Sequence, residues 1–250
     1  MIFRTIQSWQ EIRKTLIGTS LGFIPTMGAL HEGHLSLIRK SQVENQKTLV
    51  SIFVNPKQFN NPKDFETYPR TENEDLEILK RSGVDFIFLP KPSELYQDNY
   101  QFRVHETELS QKLCGKHRPG HFDGVLTVVL KLLNLAQASS AYFGEKDFQQ
   151  YLLIKQMAES FFLSTKIIGL PTVREEDGLA MSSRNRLLTS DERKRAALLP
   201  VLLRSPQSIT AIEETLKDAG FRVDYIEEYF GRRFGAVHIG RVRLIDNVEI

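Results

Sequence analysis

The sequence has 250 residues, 33 basic against 31 acidic side chains for a formal net charge of +2, 41% apolar residues and a single cysteine, Cys114. That length suits one large domain or two smaller ones with a sizeable core, and the near-balanced charge argues against a surface built for non-specific nucleic-acid binding. One cysteine excludes an intrachain disulfide and a cysteine-built zinc site, Met1 to Gln10 lack the apolar core and cleavage site of a signal peptide, and no apolar run reaches the ~18 residues of a membrane span, so a cytoplasmic enzyme with no membrane partner is expected.

Ser8 to Ile17 reads as a short helix, Leu21 to Pro25 as the first strand and His34 to Gln46 as the first long helix. Between strand and helix stands Pro25-Thr-Met27-Gly28-Ala-Leu-His31-Glu-Gly33-His34. A helix N-terminus offers unpaired N–H groups and a partial positive charge, which suit a phosphate. Gly28 and Gly33 let the backbone come close to a ligand. His31 and His34, three apart, share one side of a helical turn. Their ring N–H groups can grip the phosphates of a nucleotide, where charge develops as the α-phosphate is attacked. Half a metal site, or two surface histidines beside a cap, are the other meanings of this spacing.

Lys47 to Val54 is apolar and β-branched almost throughout, as a strand buried on both faces should be. Asn55-Pro56 opens a loop, and Asp64 to Arg70 is rich in turns. Thr71-Glu-Asn-Glu74 has capping-box spacing, predicting a helix that ends at Gly83. Val84 to Leu89 is another buried strand. The order β, α, β, α, β predicts a parallel sheet with helices on its faces, and ligands then bind beyond the carboxyl ends of the strands. A strand is expected over 101–104 and a short helix over 106–113. The loop from Gly115 to Gly124 carries Lys116, His117 and Arg118, which can attract an anion. A buried helix over 125–135, a strand over 141–143, a helix over 148–160 and a strand over 165–170 follow. Pro171 to Asn185 is polar and long for a connection, as functional loops often are. Thr189-Ser-Asp-Glu192 predicts a second capping box and a helix to about Arg204. Ile209 to Ala219 reads as a helix, with strands over 221–229, 236–239 and 242–245. The change of pattern near Pro171 places the domain boundary there, giving residues 1–171 and 172–250.

Four groups of residues can carry chemistry. Met181-Ser182-Ser183-Arg184 offers two hydroxyls, backbone donors and a guanidinium able to brace phosphates bidentately; as a bare turn it would be surface. Gly144-Glu145-Lys146-Asp147 follows a strand. Lys146 can neutralise phosphate as a point cation, and Asp147 can accept from a ribose hydroxyl or hold a metal-bound water; the alternative is a solvated charge run. Gln58 and Gln150, beside Phe59 and Tyr151, both donate and accept, which suits a small substrate bearing hydroxyls and a carboxylate. Glu74 and Asp75, with Glu72 and Glu77, are either a dipole-favoured helix start or a Mg2+ ligand region.

The pieces PTMGALHEGH, FVNPKQF, DFETYPR, RPGHFDGV, FGEKDFQQ, VREEDGLAMSSRN and RLIDNV stand in one order across Pro25 to Val248. In them the chain resembles the pantothenate synthetase (pantoate–β-alanine ligase) family of HxGH nucleotidyltransferases. His31 to His34 matches the HIGH motif, and Met181 to Arg184 resembles a KMSKS-type loop that here lacks both lysines. The resemblance implies a Rossmann-like α/β N-terminal domain with a smaller α+β C-terminal lid. It implies that pantoate attacks the ATP α-phosphate with Mg2+, giving pantoyl adenylate and pyrophosphate, and that β-alanine then displaces AMP to give pantothenate.

By position, the resemblance makes His34 the general acid toward the leaving phosphate, with His31 and Lys146 as its catalytic companions. Met27, Gly28, His31, His34, Gly144, Glu145, Lys146, Asp147, Val173, Met181, Ser182, Ser183 and Arg184 become ATP contacts. Gln58 becomes a contact to pantoate and β-alanine, Gln150 a contact to pantoate, and Asp75 a candidate metal ligand. A homodimer through the first domain is also implied. The brief, irregular segment from Pro200 to Ile209 reads as a second domain compact for the family. Rival expectations are another HxGH adenylyltransferase acting on a phosphorylated metabolite, a class I aminoacyl-tRNA synthetase, or a nucleotide sensor without turnover. Gln58 and Gln150, in place of a further cationic pocket, favour a non-phosphorylated substrate.

Overall fold

Through the first 170 residues, short runs of apolar residues alternate with amphipathic helices, and the computed structural model, which describes residues 1–250, lays those runs side by side as one parallel sheet. Its strands are β1 (Ile2–Phe3), β2 (Leu21–Thr26), β3 (Lys47–Ile52), β4 (Phe86–Phe88), β5 (Ser140–Gly144) and β6 (Lys166–Leu170), in the order β1-β4-β3-β2-β5-β6. Successive side chains point to opposite faces of a strand, and the two apolar cores follow that alternation. Phe23, Leu49, Phe86, Phe88, Ala141 and Phe143 join one core; Ile24, Val50, Ile87 and Tyr142 join the other. The first core is covered by α1 (Ile6–Thr15), which buries Trp9, and, from the later helices, by His121–Ala136 and Phe148–Ser160. The second is covered by α2 (Glu32–Glu44) and a helix over Glu72–Arg81.

The remaining helices are short. In chain order, α3 spans Pro62–Thr67, α4 is Glu72–Arg81, α5 spans Pro92–Leu95, α6 spans Cys114–His117, α7 is His121–Ala136 and α8 is Phe148–Ser160. After residue 171 come α9 (Ser190–Ala196), α10 (Leu198–Arg204) and α11 (Ile209–Asp218), then an antiparallel sheet of β7 (Arg222–Tyr229), β8 (Arg232–Ile239) and β9 (Val242–Glu249). This second unit has a core drawn only from Leu179 to Val248. Its sheet is buried on both faces. On β8, Val237 and Ile239 enter that core, while Phe234 and Ala236 pack against the first unit.

Several expectations shift. No strand forms over 101–104 and no helix over 106–113; only a 3-10 turn at Leu109–Gln111 does. The Glu106 carboxylate accepts the N–H groups of Glu108, Leu109 and Ser110, which closes a turn in place of a helix. Thr71 makes no capping box, because its hydroxyl donates to Asp75. The helix expected to reach Arg204 divides at Ala197, since Pro200 has no N–H to offer Ala196. β1, α3, α5 and α6 were not anticipated. The capping box at Thr189 and Glu192 forms as expected.

Where α7 crosses the 3-10 turn Pro56–Gln58, the contact is backbone to backbone. A Cβ on Gly124 would fall inside van der Waals distance of the Lys57 carbonyl and 2.8 Å from the Gln58 Cα. Gly124→Ala should therefore cost about 1–3 kcal/mol of stability and displace the turn that carries Gln58. Urea denaturation and the KM values for the small substrates check both effects; an unchanged midpoint would mean that the crossing has slack.

Candidate active site

The chain runs outward from β2 through β3 to β4 and returns to lay β5 on the other side of β2. The strand order therefore reverses between β2 and β5, and a crevice opens there beyond the carboxyl ends of the strands. The loop after β2 and the turn after β5 form its two lips. A cleft of about 240 Å³ lies between them, lined by Met27, His31, Gly33 and His34 from the first lip and by Gly144, Lys146, Asp147 and Gln150 from the second.

The first lip is held by one buried carboxylate. Gly28 sits at φ +78° and Ala29 at φ +50°, a left-handed turn that costs a residue with a Cβ. Asp75 Oδ2 accepts the Ala29 N–H at 2.9 Å, and Oδ1 accepts the Leu30 N–H at 2.7 Å. The Thr71 hydroxyl adds a third donor at 3.1 Å. A Cβ on Gly28 would stand 2.9 Å from Asp75 Oδ2. Asp75 is 1% exposed and does not line the cleft. Asp75, which the family resemblance makes a candidate metal ligand, accepts from two backbone N–H groups and one hydroxyl here and anchors the loop.

The two histidines open α2 as its cap. His31 Nδ1 accepts from the Gly33 N–H, and His34 Nδ1 accepts from the His31 N–H. An imidazole that accepts at Nδ1 carries its proton at Nε2, so each ring is left with an Nε2–H donor. Desolvation lowers the pKa of His31 to about 4, helped by the nearby charges of Lys146 and Arg186. Desolvation, His31 and Lys146 together lower His34 to about 3. Both are neutral donors at neutral pH, with ring centroids 4.1 Å apart.

On the opposite wall Gln58 is oriented by Asn55, a residue the sequence did not single out. Asn55 is 1% exposed. Its Oδ1 accepts from the Tyr96 hydroxyl at 2.6 Å, which fixes the amide, and its Nδ2 donates to Gln58 Oε1 and to the Gly124 carbonyl. Gln58 Nε2 consequently faces Met27 Sδ at 3.2 Å. The floor beneath is apolar, built from Val125, Val128, Val129 and Leu132 of α7. A smaller cavity continues past Lys146, Asp147 and Gln150 to Arg118 and His121. Arg118 donates to the Gln58 carbonyl and approaches His121 Nε2, but no carboxylate pairs with it. His121 holds its Nδ1 2.8 Å from the same carbonyl, and burial keeps its pKa well below the ordinary value.

Met181, Ser182, Ser183 and Arg184 reach the cleft from the second unit, beside Val173. The Ser183 hydroxyl donates to the Ala29 carbonyl, joining this loop to the first lip. Arg184 donates to both oxygens of Asp64, at 3.1 and 3.4 Å, and its guanidinium lies over the Tyr68 ring. Of the thirteen residues expected to meet ATP, Gly28 and Glu145 do not line the cleft. Gly28 turns the loop beneath it, and Glu145 faces Arg232 at 3.1 Å. Asn55, Asp64 and Tyr68 lay within the quoted motifs, but only their contacts reveal their parts.

Comparison with known proteins gives one consistent answer. The family model for pantoate-beta-alanine ligase matches residues 1–249. The pantothenate synthetase of Bdellovibrio bacteriovorus is 50% identical over 249 residues, covering 100% of this chain and 99% of that protein. Its counterpart in Legionella pneumophila is 51% identical over 247 residues, covering 98% of each. The crystal structure of the Francisella tularensis ligase, complexed with beta-gamma ATP and beta-alanine, superposes with a TM-score of 0.96 at 45% identity, covering 100% of this chain and 97% of that one. These two relatives match this chain over nearly their whole length.

The three neutral histidines set the pH dependence of stability. His31, His34 and His121 titrate near 6.5 when unfolded and lower when folded. Between 6.5 and the folded values the unfolded chain binds more protons, so stability rises with pH through that window. The contribution is complete above about pH 6.5 and is lost as pH falls toward about 4, by up to about 1.4 kcal/mol per pH unit for each histidine. Urea denaturation at pH 7.5, 6 and 5 should show this decline, and His121→Asn should flatten it. A stability that is constant over that range would contradict the assignment of neutral rings.

Proposed function

The chain belongs to the pantoate-beta-alanine ligase family and uses ATP to join pantoate to β-alanine, and we propose that the residues of this cleft carry the two steps of that reaction. The observation that supports the proposal is that one cleft gathers two neutral imidazole donors, Lys146 and the Ser182-Ser183-Arg184 loop together with the amides of Gln58 and Gln150 and an apolar floor.

ATP lies with its phosphates among the imidazoles, Lys146 and Arg184, where the N-terminus of α2 adds its dipole. Met27, Gly144 and Val173 line its path. Pantoate, which carries hydroxyls, a carboxylate and an apolar body, takes Gln58 and Gln150 for its polar groups and the valines of α7 for the rest. Its carboxylate oxygen attacks the α-phosphorus, the bond to the β,γ-phosphates breaks, and pyrophosphate leaves with the electron pair. The negative charge that develops is met by donors already in place, which is where preorganisation lowers a barrier. His31 and His34 act there as Nε2–H donors and Lys146 as a cation. Arg184 joins them by sharing its guanidinium between Asp64 and the phosphates. In the second step the β-alanine amine attacks the acyl carbon, AMP leaves, and the amine proton passes to the released phosphate or to water. Arg118, half-buried without a carboxylate partner, receives the β-alanine carboxylate and aims the amine back toward Gln58.

Mg2+ enters with ATP in this reading. Magnesium is usually held by one or two carboxylates together with substrate phosphates and waters, and Asp147 fits that use, with its side chain 43% exposed on the cleft wall. The ion would neutralise phosphate charge there. Residues 1–171 form the nucleotide- and pantoate-binding domain, and residues 172–250 form a lid whose MSSR loop keeps water from the mixed anhydride. Homodimerisation through the first domain is supported by the free edge of β6 and by Phe161 and Phe162 just before it, 53% and 94% exposed. A cytoplasmic location agrees with the free thiol of Cys114.

Pantoate-dependent exchange of pyrophosphate into ATP isolates the first step, and pantothenate formation reports both. Lys146→Ala should lower exchange by a factor on the order of 100–1,000 while leaving the urea midpoint nearly unchanged; equal loss of stability and activity would remove Lys146 from the chemistry. Arg118→Ala should raise KM for β-alanine by a factor on the order of 10–100 and spare exchange. An Arg118 variant with normal β-alanine kinetics would refute that assignment alone.

A further inference from the structure

Arg243-Leu-Ile-Asp-Asn-Val248 recurs among the family-like pieces of the sequence, yet the reaction as described gives it nothing to do. It forms most of β9, far from the cleft in sequence. The alternation of the strand decides where its side chains go. Leu244 and Val248 enter the core of the second unit, while Ile245 packs against the first unit. Asp246 and Asn247 are consecutive and therefore leave opposite faces of the strand. Both are buried, at 3% and 2% exposure.

Asn247 spends its amide on the turn that carries Lys146. Its Nδ2 donates to the Glu145 carbonyl at 2.8 Å and to the Lys146 carbonyl at 3.0 Å. An amide NH2 has two hydrogens, and both are used on consecutive carbonyls. Its Oδ1 accepts from Arg232 at 2.8 Å, which fixes the flip of the amide. Arg232 in turn holds the Glu145 carboxylate at 3.1 Å and stacks on Phe148. That turn has no side-chain cap of its own.

Asp246 holds the other phosphate-facing segment. Arg174 donates to both of its oxygens, at 2.7 and 2.9 Å, and also to the Gly178 carbonyl. Arg174 and Ala180 pair as a β-bridge, and the Met181 N–H donates to the Val173 carbonyl. Arg174 thus closes the loop from which Met181 to Arg184 spring.

We infer that the Asp246–Asn247 pair is a positioning element that sets the spacing of the Lys146 turn and the MSSR loop, so that both meet one triphosphate. Neither residue lines the main cleft; Asp246 borders the smaller cavity, with both of its oxygens held by Arg174. Asn247 acts through Lys146, and Asp246 acts through Arg174 and the loop behind Arg184. The inference rests on the proposed phosphate roles of Lys146 and Arg184, and its test separates the two ideas. Misplacing a reacting group by about 1 Å can cost on the order of 100-fold in rate, so Asn247 should matter to rate far more than to binding of pantoate.

The experiment is a double-mutant cycle on the full-length enzyme, read by pantoate-dependent pyrophosphate exchange with urea midpoints measured alongside. Asn247→Ala should lower kcat for exchange on the order of 100-fold, with KM for pantoate within about twofold. Asn247→Ser, which keeps one donor, should fall between Ala and the parent. In the Lys146→Ala background, Asn247→Ala should lower kcat by less than about twofold, because the group it positions is gone. The same factor in both backgrounds, or a shifted urea midpoint with unchanged kcat, would overturn the inference. If Asn247→Ala does not fold, Asn247→Asp carries the cycle, since it keeps the volume and turns an acceptor toward the two carbonyls. If Lys146→Ala itself leaves exchange intact, the phosphate role of Lys146 fails and the positioning role falls with it.

Discussion

The pairing of β2 with β5 is the constraint from which the rest of the molecule follows. These strands are neighbours in space, although β3 and β4 intervene in sequence. A parallel sheet that grows first to one side and then to the other must leave a gap where its two halves part, since the connections depart to opposite faces. The chain uses that gap twice. The loop leaving β2 supplies the imidazoles, and the turn leaving β5 supplies Lys146 and Asp147. No other strand pair would bring two strand-terminal loops into the same opening from opposite directions.

Electrostatics in the cleft then depend on what is buried with what. Desolvation, with the charges of Lys146 and Arg186 added to it, keeps His31 and His34 uncharged. An uncharged imidazole that already accepts at Nδ1 can only donate at Nε2. The cap of α2 therefore fixes tautomers as well as ending a helix. Asp75 serves the same economy of charge: its carboxylate, placed under the loop, satisfies backbone donors that would otherwise be buried unpaired, and it stays out of the cleft where it would repel phosphate.

The second unit is tied to the first by polar contacts at the site and by apolar contacts behind it. Phe234 and Ala236 of β8 join the large core of the first unit. Around the cleft the ties are hydrogen bonds: Ser183 to Ala29, Arg184 to Asp64, and Asn247 to the turn of Lys146. Such bonds are directional and short in range, so they place loops more sharply than apolar packing does.

What the sequence determined by itself was local. Runs of apolar residues marked the strands, glycine and proline marked the turns, and the order of elements implied a parallel sheet whose carboxyl edge holds a ligand. The stretch around His31 and His34 stood out by its glycines and its histidine spacing at a strand-to-helix turn, those around Lys146 and Arg184 chiefly by resemblance to the family, and all of them line one cleft. The tertiary structure decided everything that depends on which distant atoms meet. Glu74 and Asp75 are adjacent carboxylates in sequence, but only Asp75 turns beneath the Gly28–Leu30 loop and accepts its N–H groups. Glu106 captured three N–H groups and replaced an expected helix with a turn. Asn55 aims Gln58 only because Tyr96 fixes its amide. The strand alternation that buries Leu244 and Ile245 on opposite sides could be read in the sequence, but not that Asn247 would end against the Lys146 turn. Hydrogen bonds reach about 3 Å, and only the packed fold brings residues from opposite ends of a chain within that distance.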